Sequence, residues 1–262
     1  MSLDNPTRPN RHIVGELGMS LHLAGDELHG RASVVPEMHV PGTAALRTSI
    51  LAMWTDVIAG LLVGQVITPR VPVTLELAVD MYRPAVGLST VLAVGRVLKA
   101  GRSVVNVRVD ITGADGKPLA LGMSSFMPAP DVTLAMPDIA ESLRLHELGG
   151  GRLTEPFAER VACARRTPGV AALDRTAEGL NASNTINGGL IALAVEESVL
   201  SQAPGGTLSS LVLRYLRPAR IGPAVATAER HGDLATVEVR DEGNEDRLAV
   251  VGTARLHPVT DR

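Results

Sequence analysis

The chain has 262 residues, of which 45% are apolar and 20% charged, with a formal net charge of −3 at pH 7. This is the composition of a folded globular protein with one large or two smaller domains. The slightly acidic balance and the scarcity of aromatic residues argue against a nucleic-acid partner. The single cysteine, Cys163, excludes an intrachain disulfide, and no histidine pair has metal-binding helical spacing, so we expect no metal.

The N-terminal segment is polar and lacks the apolar core of a signal peptide. The longest uninterrupted apolar stretch, around Val57 to Val63, is too short to span a bilayer. We therefore expect a cytoplasmic protein without a membrane partner.

A first long helix is predicted over residues 44–64. It is apolar on nearly every face, which is typical of a helix buried all round. Asp56 interrupts it, between Trp54 and Ile58. Burial raises the pKa of a carboxyl group unless partners hold it ionised, and fold stability does not require that cost. Asp56 is therefore a candidate catalytic acid, and a structural aspartate bonded to a loop N–H is the alternative.

Two long stretches of the chain have similar sequence patterns. Residues 82–128 and 215–258 both open with Tyr and an Arg-Pro-Ala sequence, and both continue as alternating strands separated by polar turns. Such alternation predicts antiparallel hairpins. An offset of roughly 130 residues is too long for a solenoid repeat, so we infer a duplicated domain. The predicted units are 1–135, a Gly-rich linker over 136–156, and 157–262.

A second helix is predicted over residues 188–202. It begins with Gly188 and Gly189 and carries Glu196 and Glu197 about two turns later. The first N–H groups of a helix lack intrahelical partners and attract negative charge, and glycines let a ligand approach them. The alternatives are a tight turn with close helix packing for the glycines, and simple solvation for the acids.

Helix, Tyr-Arg-Pro-Ala strand and "GRS" strand, in that order, resemble the hotdog fold. More narrowly, they resemble acyl-CoA thioesterases of the phenylacetate-pathway and 4-hydroxybenzoyl-CoA type. That family opens its central helix with His-Gly-Gly and places an acid seven residues after the second glycine. Asn187-Gly188-Gly189 matches this turn with Asn in place of His, Glu196 falls at the acid position, and Asn181 matches a family asparagine. In the first half, Asp56 is the acid, but Thr48 and Ser49 replace the glycines.

The resemblance implies an α+β tandem (double) hotdog, each half an antiparallel sheet wrapped around a long helix. It also implies hydrolysis of an acyl-CoA to free acid and CoA, without a cofactor. Family sites lie between two protomers, so we expect a composite site between the halves. Asp56 would act as base or nucleophile, Gly188 and Gly189 would stabilise the oxyanion, and Asn181 would orient water or substrate. The opposite site, with Glu196, would be degraded.

The remaining expectations concern binding and assembly. Asn187 and four arginines at strand ends are candidates for holding the substrate and its phosphates: Arg83, Arg102, Arg217 and Arg220. Sheet edges predict a homo-oligomer of double-hotdog chains.

Two other function classes are alternatives. One is a non-catalytic acyl-CoA or fatty-acyl binding protein, suggested by the altered turns. The other is a hotdog dehydratase or hydratase. A dehydratase glutamate is replaced by Arg47 after Pro41-Gly42, and only Asp4 and His12 imitate the hydratase pair. The absence of G-x-S-x-G disfavours a serine hydrolase.

Overall fold

The computed structural model describes residues 12–136, 138–141, 143 and 152–258. The helices used below are α1 (Ile13–Glu16), α2 (Thr48–Ile67), α3 (Phe157–Arg160) and α4 (Gly188–Leu200). The strands of the first half are β1 (Ser20–Ala24), β2 (Glu27–Ser33), β3 (Pro72–Met81), β4 (Thr90–Ala100), β5 (Val105–Gly113) and β6 (Pro118–Pro128). Those of the second half are β7 (Cys163–Thr167), β8 (Val170–Leu173), β9 (Leu208–Tyr215), β10 (Ala224–His231), β11 (Leu234–Asp241) and β12 (Arg247–Leu256). Short 3₁₀ turns occupy Pro36–Met38 and Ala177–Gly179.

The described strands form one antiparallel sheet of 12 strands, in the order β1-β2-β4-β5-β6-β3-β9-β12-β11-β10-β8-β7. From one edge the first half gives β1-β2-β4-β5-β6-β3, and from the other edge the second half gives β7-β8-β10-β11-β12-β9, so equivalent strands follow the same order in both halves. The halves meet where β3 pairs with β9, for example Ala78 opposite Val212. The prediction of a separate sheet in each half was therefore incomplete, because the two sheets are joined through backbone hydrogen bonds at this central pair.

Helix α2 is the core helix of the first half. It contacts β2 to β6, β9 and α4. It begins later than predicted because Ala45 and Leu46 form bridges with Val86 and His39. It ends at Ile67, directly before Thr68-Pro69, since proline cannot continue a helix.

Sequence reasoning underestimated the apolar length of this helix, because it counted only the run that no polar residue interrupts. By length and composition, α2 could cross a membrane, with a mean hydropathy of 1.9 over an 18-residue window. In the fold, 67% of that window is buried, as in the core helix of a globular domain.

Helix α4 occupies the equivalent place in the second half and packs against α2. All of its residues after Gly188 are buried, including Glu196 and Glu197. The simple alternative, that one of these acids is solvated, is thereby wrong. The predicted α+β class, with strands, helix and strands in each half, is confirmed. The predicted linker helix and its Gly-rich joint lie largely outside the described residues.

Candidate active site

A cavity of about 1140 Å³ lies between the two halves of the molecule. Asp56 and Val57 from α2 line it, and so do Asn187 and Gly188 from the start of α4. Residues of strand β3 and of the chain that follows β6 also line the cavity. The volume is slightly above the usual range for small-ligand sites, which makes this the strongest candidate for a binding site in the part of the chain described.

Asp56 is the acid of this cavity. It is partly accessible, and Thr74 Oγ1 on β3 donates a hydrogen bond to its Oδ1 at 3.0 Å. Burial raises the pKa of Asp56 to about 6, against a smaller opposing effect of the Thr74 hydrogen bond. No cation is paired with Asp56 among the described residues to lower this pKa again, so the carboxyl group exchanges its proton near pH 6.

Gly188 forms the first turn of α4 at the cavity wall. Tyr215 donates a hydrogen bond from its hydroxyl to the Gly188 carbonyl at 2.8 Å. A Cβ at Gly188 would lie only 3.1 Å from that hydroxyl oxygen, so glycine permits the close contact. Burial and the nearby Asp56 charge raise the pKa of Tyr215, which keeps it protonated and able to donate. Within the described chain, we find no acceptor for the Gly188 N–H.

Gly189 has a different role from its neighbour. A Cβ there would lie 2.6 Å from Met53 Sδ and 2.8 Å from Met53 Cα, so this glycine lets α4 approach α2. Its N–H donates to the Asn187 side chain at 2.8 Å, an ordinary helix N-cap. Close helix packing, the alternative for the glycine pair, therefore explains Gly189, and only Gly188 has its N–H left for a ligand.

Asn181 lines the cavity but uses its side chain within its own loop. Its Oδ1 accepts from the Ser183 and Thr185 N–H groups at 2.9 and 3.1 Å, and its Nδ2 donates to Thr185 Oγ1 at 2.8 Å. The loop leads directly to Asn187, so Asn181 positions the start of α4. A role in orienting water stays a prediction.

Two of the four predicted arginines lie at the cavity. Arg217 and Arg220 line it, on the loop after β9. Asp241 fixes that loop: burial opposes its ionisation, but N–H groups of residues 220–222 donate to its carboxylate and lower its pKa. Arg83 instead pairs with Asp115 at 3.5 Å. Neither Arg83 nor Arg102 is among the residues that line the cavity.

The N-terminal end of the first half reaches across to the second half beside the cavity. Glu16 on α1 forms a two-pronged ion pair with Arg160, at 2.6 and 2.7 Å. His12 Nε2 lies 2.8 Å from the Leu180 carbonyl. Because His12, Glu16 and Arg160 line the cavity, these contacts hold part of its wall in place.

Glu196 lies at the opposite, equivalent end of the helix pair and is fully buried. Its Oε1 accepts from the Thr48 N–H at 2.8 Å and from the Ser49 N–H at 3.4 Å. Its Oε2 accepts from Ser49 Oγ at 2.6 Å and Arg47 Nη1 at 3.3 Å. As expected, Glu196 faces Thr48 and Ser49. The carboxylate itself fills the place where a ligand oxygen would sit.

Two arginines and Glu197 form further ion pairs beside Glu196. Arg47 is 1% exposed and its Nη1 also lies 2.6 Å from Glu197 Oε1, while its Nε and Nη2 have no partner among the described residues. Arg165 pairs with the other Glu197 oxygen at 2.5 Å. In this cluster both acids are paired with arginine side chains.

Two residues of the candidate site were missed from the sequence. Tyr215 was noted only as the start of a repeat, and its counterpart Tyr82 is exposed, so the repeat gave no signal of a special role. Thr74 lies in a predicted strand, and only the pairing of β3 beside α2 brings it to Asp56.

Comparison with known proteins adds the fold family. A sequence model described as "Thioesterase superfamily" matches residues 49–120, in the first half of the chain. No curated protein matches the chain by sequence. The structure of a 12:0-ACP thioesterase from Umbellularia californica superposes with a TM-score of 0.65 at 12% identity, covering 90% of this chain and 99% of that one. An acyl-ACP thioesterase from Bacteroides thetaiotaomicron gives a TM-score of 0.61 at 12% identity, over 88% and 98% of the two chains.

The fold is a tandem hotdog. At 12% identity the two structures establish the shared fold alone. The match to the thioesterase superfamily model is the finding that supports a thioester hydrolase. The narrower resemblance to the phenylacetate-pathway and 4-hydroxybenzoyl-CoA type is not singled out by these comparisons.

Proposed function

We propose that this protein hydrolyses acyl-CoA thioesters at one composite site per chain, between Asp56 of the first half and the start of α4 in the second. The observation that carries the proposal is that Asp56 and Gly188 line the same cavity. Reaction at a thioester needs a base or nucleophile and a donor for the developing oxyanion, and these two groups supply them.

The opposite end of the helix pair supports this division of roles. There, Glu196 Oε1 accepts from the Thr48 N–H at the equivalent helix start. This contact is an internal example of how the first turn of a helix in this fold holds a negatively charged oxygen. In the proposed site, the Gly188 N–H would hold the thioester oxygen in the same way, and one such donor is worth about 3 kcal/mol in the transition state.

The reaction would proceed by addition and elimination. The carboxylate of Asp56 either removes a proton from water as water attacks the carbonyl carbon, or attacks that carbon itself to form an anhydride that water then hydrolyses. The carbon–sulfur bond breaks as the oxyanion collapses, and the CoA thiolate takes up a proton. Tyr215 positions the first turn of α4 by holding the Gly188 carbonyl.

Coenzyme A is the proposed carrier because Arg217 and Arg220 line the cavity on a loop anchored by Asp241. Guanidinium groups suit phosphate recognition. The structures of similar fold are named for acyl-ACP thioesterases, so the carrier is tested directly by comparing the same acyl group on CoA and on acyl carrier protein.

The experiment that tests the proposal is Asp56→Asn, measured as steady-state thiol release from a panel of acyl-CoAs. Asparagine keeps the size of the side chain but cannot act as base or nucleophile. We expect turnover to fall by about 10²–10⁴-fold, the usual loss for general-base catalysis.

The matched control is Asp80→Asn on the exposed face of β3, which should retain parent activity. Retained turnover in Asp56→Asn would contradict the assigned role. If the parent protein binds acyl-CoA but releases no thiol, the non-catalytic binding protein becomes the better conclusion.

A further inference from the structure

Gly60 is a glycine in the middle of α2 without a conformational or packing reason. Glycine is among the poorest helix formers, so an interior glycine needs an explanation. Its φ is not in the left-handed region, and a Cβ there would meet only Phe126 Cε1, at 4.0 Å. By contrast, a Cβ at Gly64, one turn later, would lie 2.9 Å from Met136 Cε and 3.1 Å from Ile139 Cδ1. Close packing therefore explains Gly64 and does not explain Gly60.

What Gly60 does adjoin is the cavity. It lines the cavity one helical turn after Asp56, on the same face of α2, together with Val57 and Leu61. Leu134 and Met136, from the chain after β6, also line it. The side chains of Val57, Leu61, Leu134 and Met136 are apolar, so this part of the lining suits an apolar occupant.

The second half provides an internal comparison. The two helices begin at Thr48 and Gly188, so Gly60 and Leu200 are equivalent positions, each twelve residues further on. Leu200 is 1% exposed and fills its place in the core. At the acid position, four residues earlier in each helix, the second half has Glu196 and the first half the shorter Asp56. At both positions the first half has the smaller residue, and these two residues, Asp56 and Gly60, line the cavity.

The far end of this open face is closed by the chain between the halves. Met136 sits against Gly64, and its N–H donates to the Pro69 carbonyl at 3.0 Å. Arg70 and Ala135 form a β-bridge beside it. From Asp56 to Gly64 the helix rises roughly 12 Å, which is the span of an extended chain of about nine or ten carbons.

From this geometry we propose that Gly60 determines the length of the acyl chain, which runs from the reacting carbonyl at Asp56 over Gly60 to Met136. The substrate class is then a thioester of an unbranched, medium-length fatty acid. The identity of the reacting group rests on the proposed function, whereas the apolar channel does not.

The test is Gly60→Leu, which places the side chain of the equivalent Leu200 in the channel. Hydrolysis of butanoyl-, octanoyl- and decanoyl-CoA is measured, together with calorimetric binding of the three free fatty acids. We expect kcat/KM for decanoyl-CoA to fall by about tenfold or more, because several methylenes lose their burial, and that for butanoyl-CoA to stay within about twofold. Decanoate binding should weaken in parallel.

Two further variants keep the test decisive. Gly60→Ala should raise the melting temperature, since alanine favours the helix and has room, and should shift preference toward shorter chains in the same sense. Val66→Leu, on the same helix but 47% exposed and outside the cavity lining, should leave the length profile unchanged.

The two proposals fail in different ways. An equal loss for all chain lengths in Gly60→Leu, or no loss, would overturn the channel even if hydrolysis is observed. If no thioester is hydrolysed by the parent, the binding arm decides alone. Decanoate bound by the parent and not by Gly60→Leu supports the channel, and equal binding or no binding overturns it.

Discussion

A single methylene separates the acids at the two ends of the helix pair. Glu196 is long enough to reach the Thr48 N–H at 2.8 Å and to take hydrogen bonds from Ser49. Asp56, eight residues after the start of α2 as Glu196 is after the start of α4, makes its hydrogen bond with Thr74 instead. Asp56 and the first residue of α4, Gly188, both line the cavity, whereas Glu196 bonds directly to the start of α2.

The pKa of Asp56 predicts how activity depends on pH. Burial raises it to about 6, and only the ionised form can act as base or nucleophile. We therefore expect kcat/KM to rise about tenfold per pH unit below pH 6 and to level off above it. The measurement is a pH profile of kcat/KM with a short-chain acyl-CoA.

The same shift affects folding stability, with a defined sign. A carboxyl group whose folded-state pKa is raised holds its proton in the folded state where the unfolded chain has lost it. Stability therefore falls as pH rises from about 4 to about 6. Asp56→Asn should flatten this slope in urea titrations. An unaltered slope, or an activity midpoint near pH 4, would show that burial does not perturb Asp56.

At the scale of elements, the starts of α2 and α4 show two uses of one geometry. At α4, Asn187 caps the Gly189 N–H, and the Gly188 N–H has no acceptor among the described residues. At α2, the side chain of the N-cap residue Arg47 makes no capping hydrogen bond. The free N–H groups of the first turn donate instead to Glu196 on the neighbouring helix. The second arrangement ties the two helices together through buried charge.

Glu196→Gln should therefore reduce stability and leave catalysis largely intact. It removes the negative charge that faces Arg47 and the start of α2, and breaking a buried ion pair from one side costs about 3–5 kcal/mol. We expect a loss toward the lower end of that range, because Glu197 still neutralises Arg47. Denaturant unfolding and kcat for octanoyl-CoA are measured on the same preparations.

Glu245→Gln is the matched control, since Glu245 forms an exposed ion pair with Arg247 and such pairs contribute about 1 kcal/mol or less. Loss of turnover in the folded Glu196→Gln variant would show instead that the second acid takes part in the reaction.

Helices and strands could be predicted from the sequence wherever a local pattern of apolar and polar residues determines them. The all-round apolar α2 is buried in the structure and the alternating strands form hairpins. The duplication stays a prediction, which the repeated strand order supports. The join of the two sheets at β3 and β9 was not predictable, because unpaired edge groups on both strands are satisfied equally by solvent or by a partner. Likewise, the two adjacent glycines look alike in sequence, and only their partners in the fold, Tyr215 for Gly188 and Met53 for Gly189, distinguish them.

At the scale of the whole molecule, the continuous sheet leaves the short strands β1 and β7 at its two edges. The described contacts beside the cavity, Glu16 with Arg160 and β3 with β9, link the two halves. The cavity walls thus depend on both halves, and we expect neither half alone to bind substrate.

One ligand should bind per chain. Calorimetric titration of Asp56→Asn with octanoyl-CoA, which the variant turns over only slowly, should give a stoichiometry close to one, because the Glu196 end is filled by its own side chains. A stoichiometry of two would mean that the second end opens in solution. Glu196→Gln in the same experiment should leave the value unchanged.

The covalent joining of the halves has a consequence for how such a protein can change. In a dimer of two identical short chains, every substitution appears twice, so a residue that opens one pocket also hollows out the other. Here Gly60 and Leu200, like Asp56 and Glu196, are separate codons of one gene. Mutation can therefore enlarge or reshape the reactive end while the opposite end keeps the bulk and buried charge that hold the molecule together.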